Sequence, residues 1–234
     1  MQKSFRPTVG ALVFTIVSLI ILLSLGSWQV VRLGEKTAFL DLINSKMSNA
    51  PVPMPNSIDS PKDWEYSRVT LAGSFLHNHQ FLIKPRTLDG MSGAHMFVPF
   101  KRLSGNIVLV NRGWISEEFM NKASRPKGII KIEGIVRLPY KTSFTPENNP
   151  ATGDWYWADI NAMAYKAGLK NVAPVFVNIA KRKTGVYPAG GKVTVNIHNN
   201  HLFYAFFWFS MAAILQIVFF LSSRKPVKKN NKNK

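Results

Sequence analysis

The stretch LFYAFFWFSMAAILQIVFFL, residues 202–221, holds no charged side chain. It is about the length that crosses a bilayer core at ~1.5 Å rise per residue. A second uncharged run, VGALVFTIVSLIILLSL, occupies residues 9–25. Reading both as membrane spans decides the fold, because everything between them must then lie on one side of the membrane. The Thr, Ser and Gln inside them are tolerable, since neutral polar side chains bond to backbone or to a partner helix.

The first run comes after Lys3 and Arg6, as in a signal peptide. Its apolar core is longer than the roughly 7–15 residues of a signal, and there is no A-x-A-like site behind it. Instead GSWQVVRLGEK (26–36) continues a helix. An uncleaved anchor is expected. No proline interrupts residues 26–47, and APVPMP at 50–55 cannot continue a helix.

The net charge is +18, from 30 basic and 12 acidic residues. Such an excess invites a nucleic-acid reading, but its distribution points to lipid. Residues 224–234 carry six basic side chains and no acid, and residues 1–8 carry two more. These flank the spans on the sides away from the central region. The positive-inside rule then puts both termini in the cytoplasm and the long intervening loop outside. Lysines beside anionic headgroups account for the basic excess, so no nucleic-acid partner is expected. There is no cysteine. That excludes disulfides, thiolate copper sites, covalent haem attachment through C-x-x-C-H and thiol–disulfide catalysis.

The expected organisation is a cytoplasmic N-terminus (1–8), a first transmembrane helix (9–27), a juxtamembrane helix (28–49), an extracytoplasmic β-rich domain (50–198), a second transmembrane helix (201–221) and a basic, disordered cytoplasmic tail (222–234). Strand candidates are 66–76, 80–84, 95–103, 107–115, 129–138, 174–180 and 192–197. The third and fourth are joined by Ser104-Gly105-Asn106, a three-residue hairpin connection. Residues 159–168 read as a helix capped by Asp159 and ended by Gly168. The fold class is a membrane protein of α+β type, with two transmembrane helices flanking an exported antiparallel β-rich domain, barrel or sandwich-like. A barrel would leave no exposed edges.

No hydrolase elbow, P-loop, H-E-x-x-H or paired-carboxylate pattern is present, so no enzyme is expected. His77 and His79 sit at a turn without an evident third metal ligand. In VNRGWI (110–115), strand alternation places Val110, Arg112 and Trp114 on one face. Arg112 could stack on Trp114, and Gly113 would let another backbone approach closely. This is either a packed central strand or a surface that docks a partner.

The second span has a polar entrance, HNNH at 198–201. Spacings of four and three give one stripe of His201, Ala205, Trp208, Ala212 and Gln216. The first span offers Thr15, Ser18, Leu22, Leu25, Gln29 and Arg32. Antiparallel spans bring Gln29 and Arg32 level with His201. Trp28 and Tyr204 fall at interfacial depth. An imidazole among amides against an apolar wall could ligate haem iron. The plainer alternative is a helix cap from Asn199 or Asn200, with His201 at headgroup level.

GSWQVVRLGEK after a first span, VNRGWI in a central strand, EGIVR (133–137) and NNHLFYAFFW opening a second span together resemble the Surfeit-locus-one (Surf/Shy) family, in motif order and topology. The motifs fall on Gly26, Trp28, Gln29, Arg32, Leu33 and Lys36; on Asn111, Arg112, Gly113 and Trp114; on Glu133, Gly134 and Arg137; and on Asn200, His201, Leu202, Tyr204, Ala205 and Trp208. Ser116 departs from the pattern, where family members often have proline.

The resemblance implies a non-enzymatic assembly factor, a membrane chaperone for haem–copper terminal oxidases and cytochrome c oxidase in particular. It implies assistance with haem a insertion into, or stabilisation of, subunit one. The alternative is a membrane scaffold that never touches haem. The implied cofactor is haem a, held transiently, and no other. The implied partners are oxidase subunit one, other oxidase assembly factors and the bilayer. His201 is then the candidate haem ligand, with Gln29, Arg32, Asn200 and Tyr204 around it. Trp28, Asn111, Arg112, Gly113 and Trp114 are candidates for partner contact. A bacterial inner membrane with a periplasmic central domain is expected, ahead of a mitochondrial inner membrane.

Overall fold

The computed structural model describes residues 3–179, 186–190 and 199–226. Contacts divide the chain into two units, Met1–Leu42 with Asn196–Lys234, and Ile43–Val195. The elements are β1 (Lys3–Phe5), α1 (Val9–Ser48), β2 (Val52–Pro53), α2 (Pro61–Trp64), β3 (Arg68–Phe75), β4 (Phe81–Leu88), β5 (Met91–Arg102), β6 (Ile107–Ser116), β7 (Ile130–Arg137), α3 (Ile160–Lys166), β8 (Val172–Ile179), α4 (His201–Ser222) and β9 (Arg224–Pro226).

The first unit is built on α1 and α4. Both are long and apolar enough to cross a membrane, and only 11% of the most apolar window of each is buried. A core helix of a soluble protein would be mostly covered. The two run antiparallel. Gly26 of α1 faces Phe209, whose ring atoms lie 2.7–2.9 Å from where a Cβ would stand. The buried line on α4 includes Ala205 and Ala212, as the small-residue stripe predicts. It continues through Leu215, not Gln216, which is exposed. On α1 the covered line is Thr15, Ser18, Leu22, Gly26, Gln29 and Leu33.

Outside the two helices, β1 and β9 pair antiparallel, Lys3 with Pro226 and Phe5 with Arg224. Arg6 N donates to Ser223 O at 2.8 Å, and the Phe5 ring meets those of Phe219 and Phe220. The segment expected to be disordered from residue 222 thus begins with the helix end and a short strand. Its low-complexity part lies outside the described residues.

The second unit is a barrel. Strands β3, β7, β8, β6 and β5 follow one another as hydrogen-bonded neighbours, and β5 pairs back onto β3 to close the ring. The closure is short, Gly73–Phe75 against Phe100–Arg102. A Cβ on Gly73 would stand 2.1 Å from Lys101 O, so this seam needs glycine. β4 extends the sheet beside β5, and β2 beside β3. The expected barrel is present, with one feature that hairpin reading does not supply. β8 pairs parallel with β6 and antiparallel with β7. The candidate strand at 192–197 lies outside the described residues.

Alternation fills the interior. β3 buries every second residue, including Val69, Leu71 and Phe75. Met96, Val98, Phe100, Val108, Val110, Ile132, Val136, Val175 and Val177 join them in one core. Neighbours of opposite parity, Phe97, Leu109 and Phe176, point outward into a second apolar layer. Trp155, Ala158 and, on α3, Ile160 and Met163 cover that layer. α3 forms where the sequence predicts. Asp159 Oδ1 accepts from Ala162 N at 3.0 Å, and Gly168 ends the helix with a positive φ of 63°.

Candidate functional site in the helix pair

His201 is the first residue of α4, and Gln29 lies in the middle of α1. Their side chains meet, His201 Nδ1 to Gln29 Oε1, at 2.7 Å. A carbonyl oxygen can only accept, so Nδ1 carries the proton and donates. Nε2 is then the ring's lone-pair nitrogen, and it makes no hydrogen bond among the described residues. Gln29 is buried to 8% exposure and holds the ring from one side. Such an oriented imidazole, with one nitrogen tied and the other open, is the form that binds a metal centre.

The neighbours divide. Asn199 Nδ2 donates to Thr37 Oγ1 at 3.4 Å, a long bond. Asn200 occupies the N-cap position of α4 but makes no side-chain cap bond. The helix-cap alternative for these asparagines therefore has no hydrogen bond to support it. Arg32 does not face the site. It is exposed, bonds Glu35 at 2.7 Å and lies 5.8 Å from the Trp28 ring. The heptad-like spacing placed it on the covered stripe, but the real turn of 3.6 residues moves that stripe to Leu33. Tyr204 and Trp28 are about half exposed.

The VNRGW stretch lies in the barrel wall. Every residue of β6 is buried, because β5 and β8 pair on its two sides and apolar layers cover both faces. Arg112 is 0% exposed and follows Val108 and Val110 into the barrel. Its guanidinium stands 4.9 Å from the centre of the Phe75 ring, not over Trp114. Trp114 Nε1 donates to Arg86 O at 2.9 Å, and Asn111 Oδ1 accepts from Gly113 N at 3.0 Å. Arg112, Gly113 and Trp114 are enclosed by the wall and Asn111 faces a recess on its outer side, so burial favours the packed-central-strand reading of this stretch over a docking surface. The expectation for Gly113 itself holds. Its φ is +116°, and a Cβ would stand 2.1 Å from Ala189 O. Trp114 and Ala189 exchange backbone bonds of 3.1 and 2.9 Å across that contact.

The remaining motif, EGIVR, lies on β7. Glu133 pairs with Arg68 at 2.5 Å. Gly134 lets Asn178 O approach to 2.4 Å of its would-be Cβ, and the Arg137 guanidinium lies 4.7 Å from the Tyr66 ring. His77 and His79 form a single helical turn, where His77 Nε2 contacts Pro126 O at 3.0 Å. Burial is the main cause that lowers the His77 pKa. Among the described residues no group of three His, Cys, Asp or Glu side chains is placed to hold a metal ion.

A family model described as the SURF1 family matches residues 16–213. The chain belongs to the SURF1 family. The match begins inside α1 and ends inside α4, so both helices and the barrel are part of it. A SURF1-like protein of Monosiga brevicollis is 31% identical over 235 residues, covering 92% of this chain and 89% of the relative. A SURF1-like protein of Caenorhabditis elegans is 30% identical over 252 residues, 96% of this chain and 77% of the relative. The human Surfeit locus protein 1 is 32% identical over 218 residues, 84% of this chain and 72% of the relative.

In this SURF1 protein, sequence reasoning named Asn111 but missed His95 and Asn178 in a polar row on the outside of the barrel. His95 on β5, Asn111 on β6 and Asn178 on β8 occupy neighbouring strands, with Asn111 and Asn178 in register. The ladder shifts between His95 and Phe97, a bulge of the kind that re-aims side chains. A lone histidine and two asparagines within apolar strands were the available signal.

Proposed function

We propose that this protein is an assembly factor for haem–copper terminal oxidase. It assists haem a insertion into, or stabilisation of, subunit one of cytochrome c oxidase, without catalysing a reaction. The observation that carries the reading is the Gln29–His201 pair. The pathway comes from the motif resemblance, and the site from the geometry.

His201 would bind iron through Nε2, with Nδ1 donating to Gln29. That bond raises the basicity of the ring and fixes its direction. Haem a, when bound, would supply the iron and a large apolar face. The apolar surface around α1 and α4 suits such a face. Trp28 and Tyr204 expose their rings and are available to haem or to a partner helix. The oxidase subunit and other assembly factors would be met within the bilayer and beside it. A bacterial inner membrane is the proposed location, with the barrel in the periplasm. β1 and β9 place the chain segments before α1 and after α4 together at one end of the helix pair, which supports a common side for both termini.

The test is the haem content of the purified full-length protein. The wild-type protein is expected to carry haem with a Soret band, and His201→Ala to lose it while still inserting in the membrane. A His201→Ala protein with full haem content would sink the ligand assignment. Wild-type protein that co-purifies with oxidase subunit one but never carries haem would instead favour a scaffold.

A further inference from the structure

A recess of about 220 Å³ lies on the outside of the barrel, between the sheet and the segment that carries Trp157. Its polar lining includes Arg86, His95, Asn111, Arg137, Trp157 and Asn178. Four buried atoms among these have no hydrogen-bond partner: His95 Nδ1, Arg137 Nε, Trp157 Nε1 and Asn178 Oδ1. Buried polar atoms are rarely left unpaired, and each such exception calls for an explanation. Four around one recess point to a single missing partner.

We propose that this recess binds a small organic carboxylate. Its charge favours an anion. Arg86 donates to two backbone carbonyls, Pro85 O at 2.7 Å and Tyr156 O at 2.8 Å, and forms no ion pair among the described residues. Carbonyls orient the guanidinium but leave its charge uncompensated. Arg137 has a carboxylate neighbour, Glu65, only at 3.7 Å. The recess therefore carries more positive than negative charge. His95 adds none near neutrality, since burial and then the charge of Arg86 hold its pKa at about 4.

Size and lining decide between an inorganic ion and an organic one. The volume equals roughly seven waters at ~30 Å³ each, too large for one phosphate. Phe97, Phe176 and Leu138 supply apolar walls, which suit a carbon skeleton. The Trp157 N–H calls for an acceptor, which a carboxylate oxygen provides. The Asn178 carbonyl calls for a donor, which a hydroxyl on the same molecule provides. A hydroxycarboxylate meets all of these needs. Haem binding at His201 is not required for it.

Thermal melts of the full-length protein in detergent test it, with malate, succinate and inorganic phosphate at equal millimolar concentration. Malate is expected to raise Tm by several degrees, succinate by less and phosphate not at all. Trp157→Phe removes the N–H, so the malate shift should shrink, whatever the loss of indole packing does to the unliganded Tm. Arg86→Gln should abolish the shift. A Tm unmoved by both carboxylates overturns the proposal, as does an equal response to phosphate. A malate shift undiminished in Trp157→Phe also overturns it.

Discussion

Gln29 and His201 lie 172 positions apart in the chain, yet their side chains meet at 2.7 Å across two antiparallel helices. The bond leaves the imidazole with one donor engaged and one lone pair open. It ties together two motifs that the sequence shows only as separate fragments.

Gln29→Leu should therefore reproduce part of the His201→Ala defect. The ligand remains, but its orienting partner does not. Loss of such a partner lowers metal affinity by about 10–100-fold. Haem titration of the apoprotein should show that loss in Gln29→Leu, with Gln29→Glu retaining most of the affinity. Equal affinity in Gln29→Leu and wild type would separate the glutamine from the site.

Gly113→Ala should destabilise the barrel by roughly 2–6 kcal/mol. That sums ~1–3 for a side chain at positive φ and ~1–3 for overpacking against the Ala189 carbonyl. Gly105→Ala is the control. Its φ is +87° and nothing lies within 4 Å of a Cβ there, so only the first contribution applies. Denaturant midpoints of the two variants should differ clearly, and identical midpoints would remove the close approach.

Stability should fall as the pH drops below neutrality, with His95 as one cause. Its folded pKa of about 4 lies below the ordinary 6.5. Between those values the unfolded chain takes up a proton that the folded one refuses. The stabilisation is complete above pH ~6.5 and is lost as the pH falls towards 4, by up to roughly 3 kcal/mol at 1.36 kcal/mol per unit. His77, also lowered, adds in the same direction. His95→Gln should flatten the Tm profile over this window without levelling it. An unchanged slope would mean that His95 titrates normally.

Asp159→Ala should cost about 1 kcal/mol, the usual worth of an N-cap. Asp159→Asn should recover most of it, because the amide oxygen can still accept from Ala162 N. Urea midpoints of the three proteins give the comparison, and a neutral Asp159→Ala would show that packing alone holds α3.

The helices were legible because their signals are local. An uncharged run sets α1 and α4, the prolines after residue 50 stop α1, and Asp159 with Gly168 brackets α3. Strand β3 was legible from alternation alone. What the sequence hid is non-local. The register of β8 beside both β6 and β7 joins segments distant in the chain, and nothing in 172–179 says that one of its neighbours is parallel. The VNRGW stretch left two readings open for a related reason. A run such as IVLVNRGWIS belongs to a strand covered on both faces, but the charged arginine and the Trp114 beside it kept a docking surface as the alternative to a packed central strand. The Gln29–His201 pair was foreseen from helical spacing, whereas Arg32 was assigned to the site on a seven-residue repeat that the helix does not keep.

The place of β8 in the ring bears on how the protein is made. It is the last described barrel strand in the chain, yet it sits between β6 and β7. Until residue 179 has been delivered, both of those strands are open edges with unpaired amides and carbonyls, and the core they enclose is exposed. Closure must await the end of the domain and cannot proceed strand by strand during translocation. Such a chain has a slow, long-range final step and a window in which its edges can pair with other chains. A helper that shields those two edges during export would shorten that window.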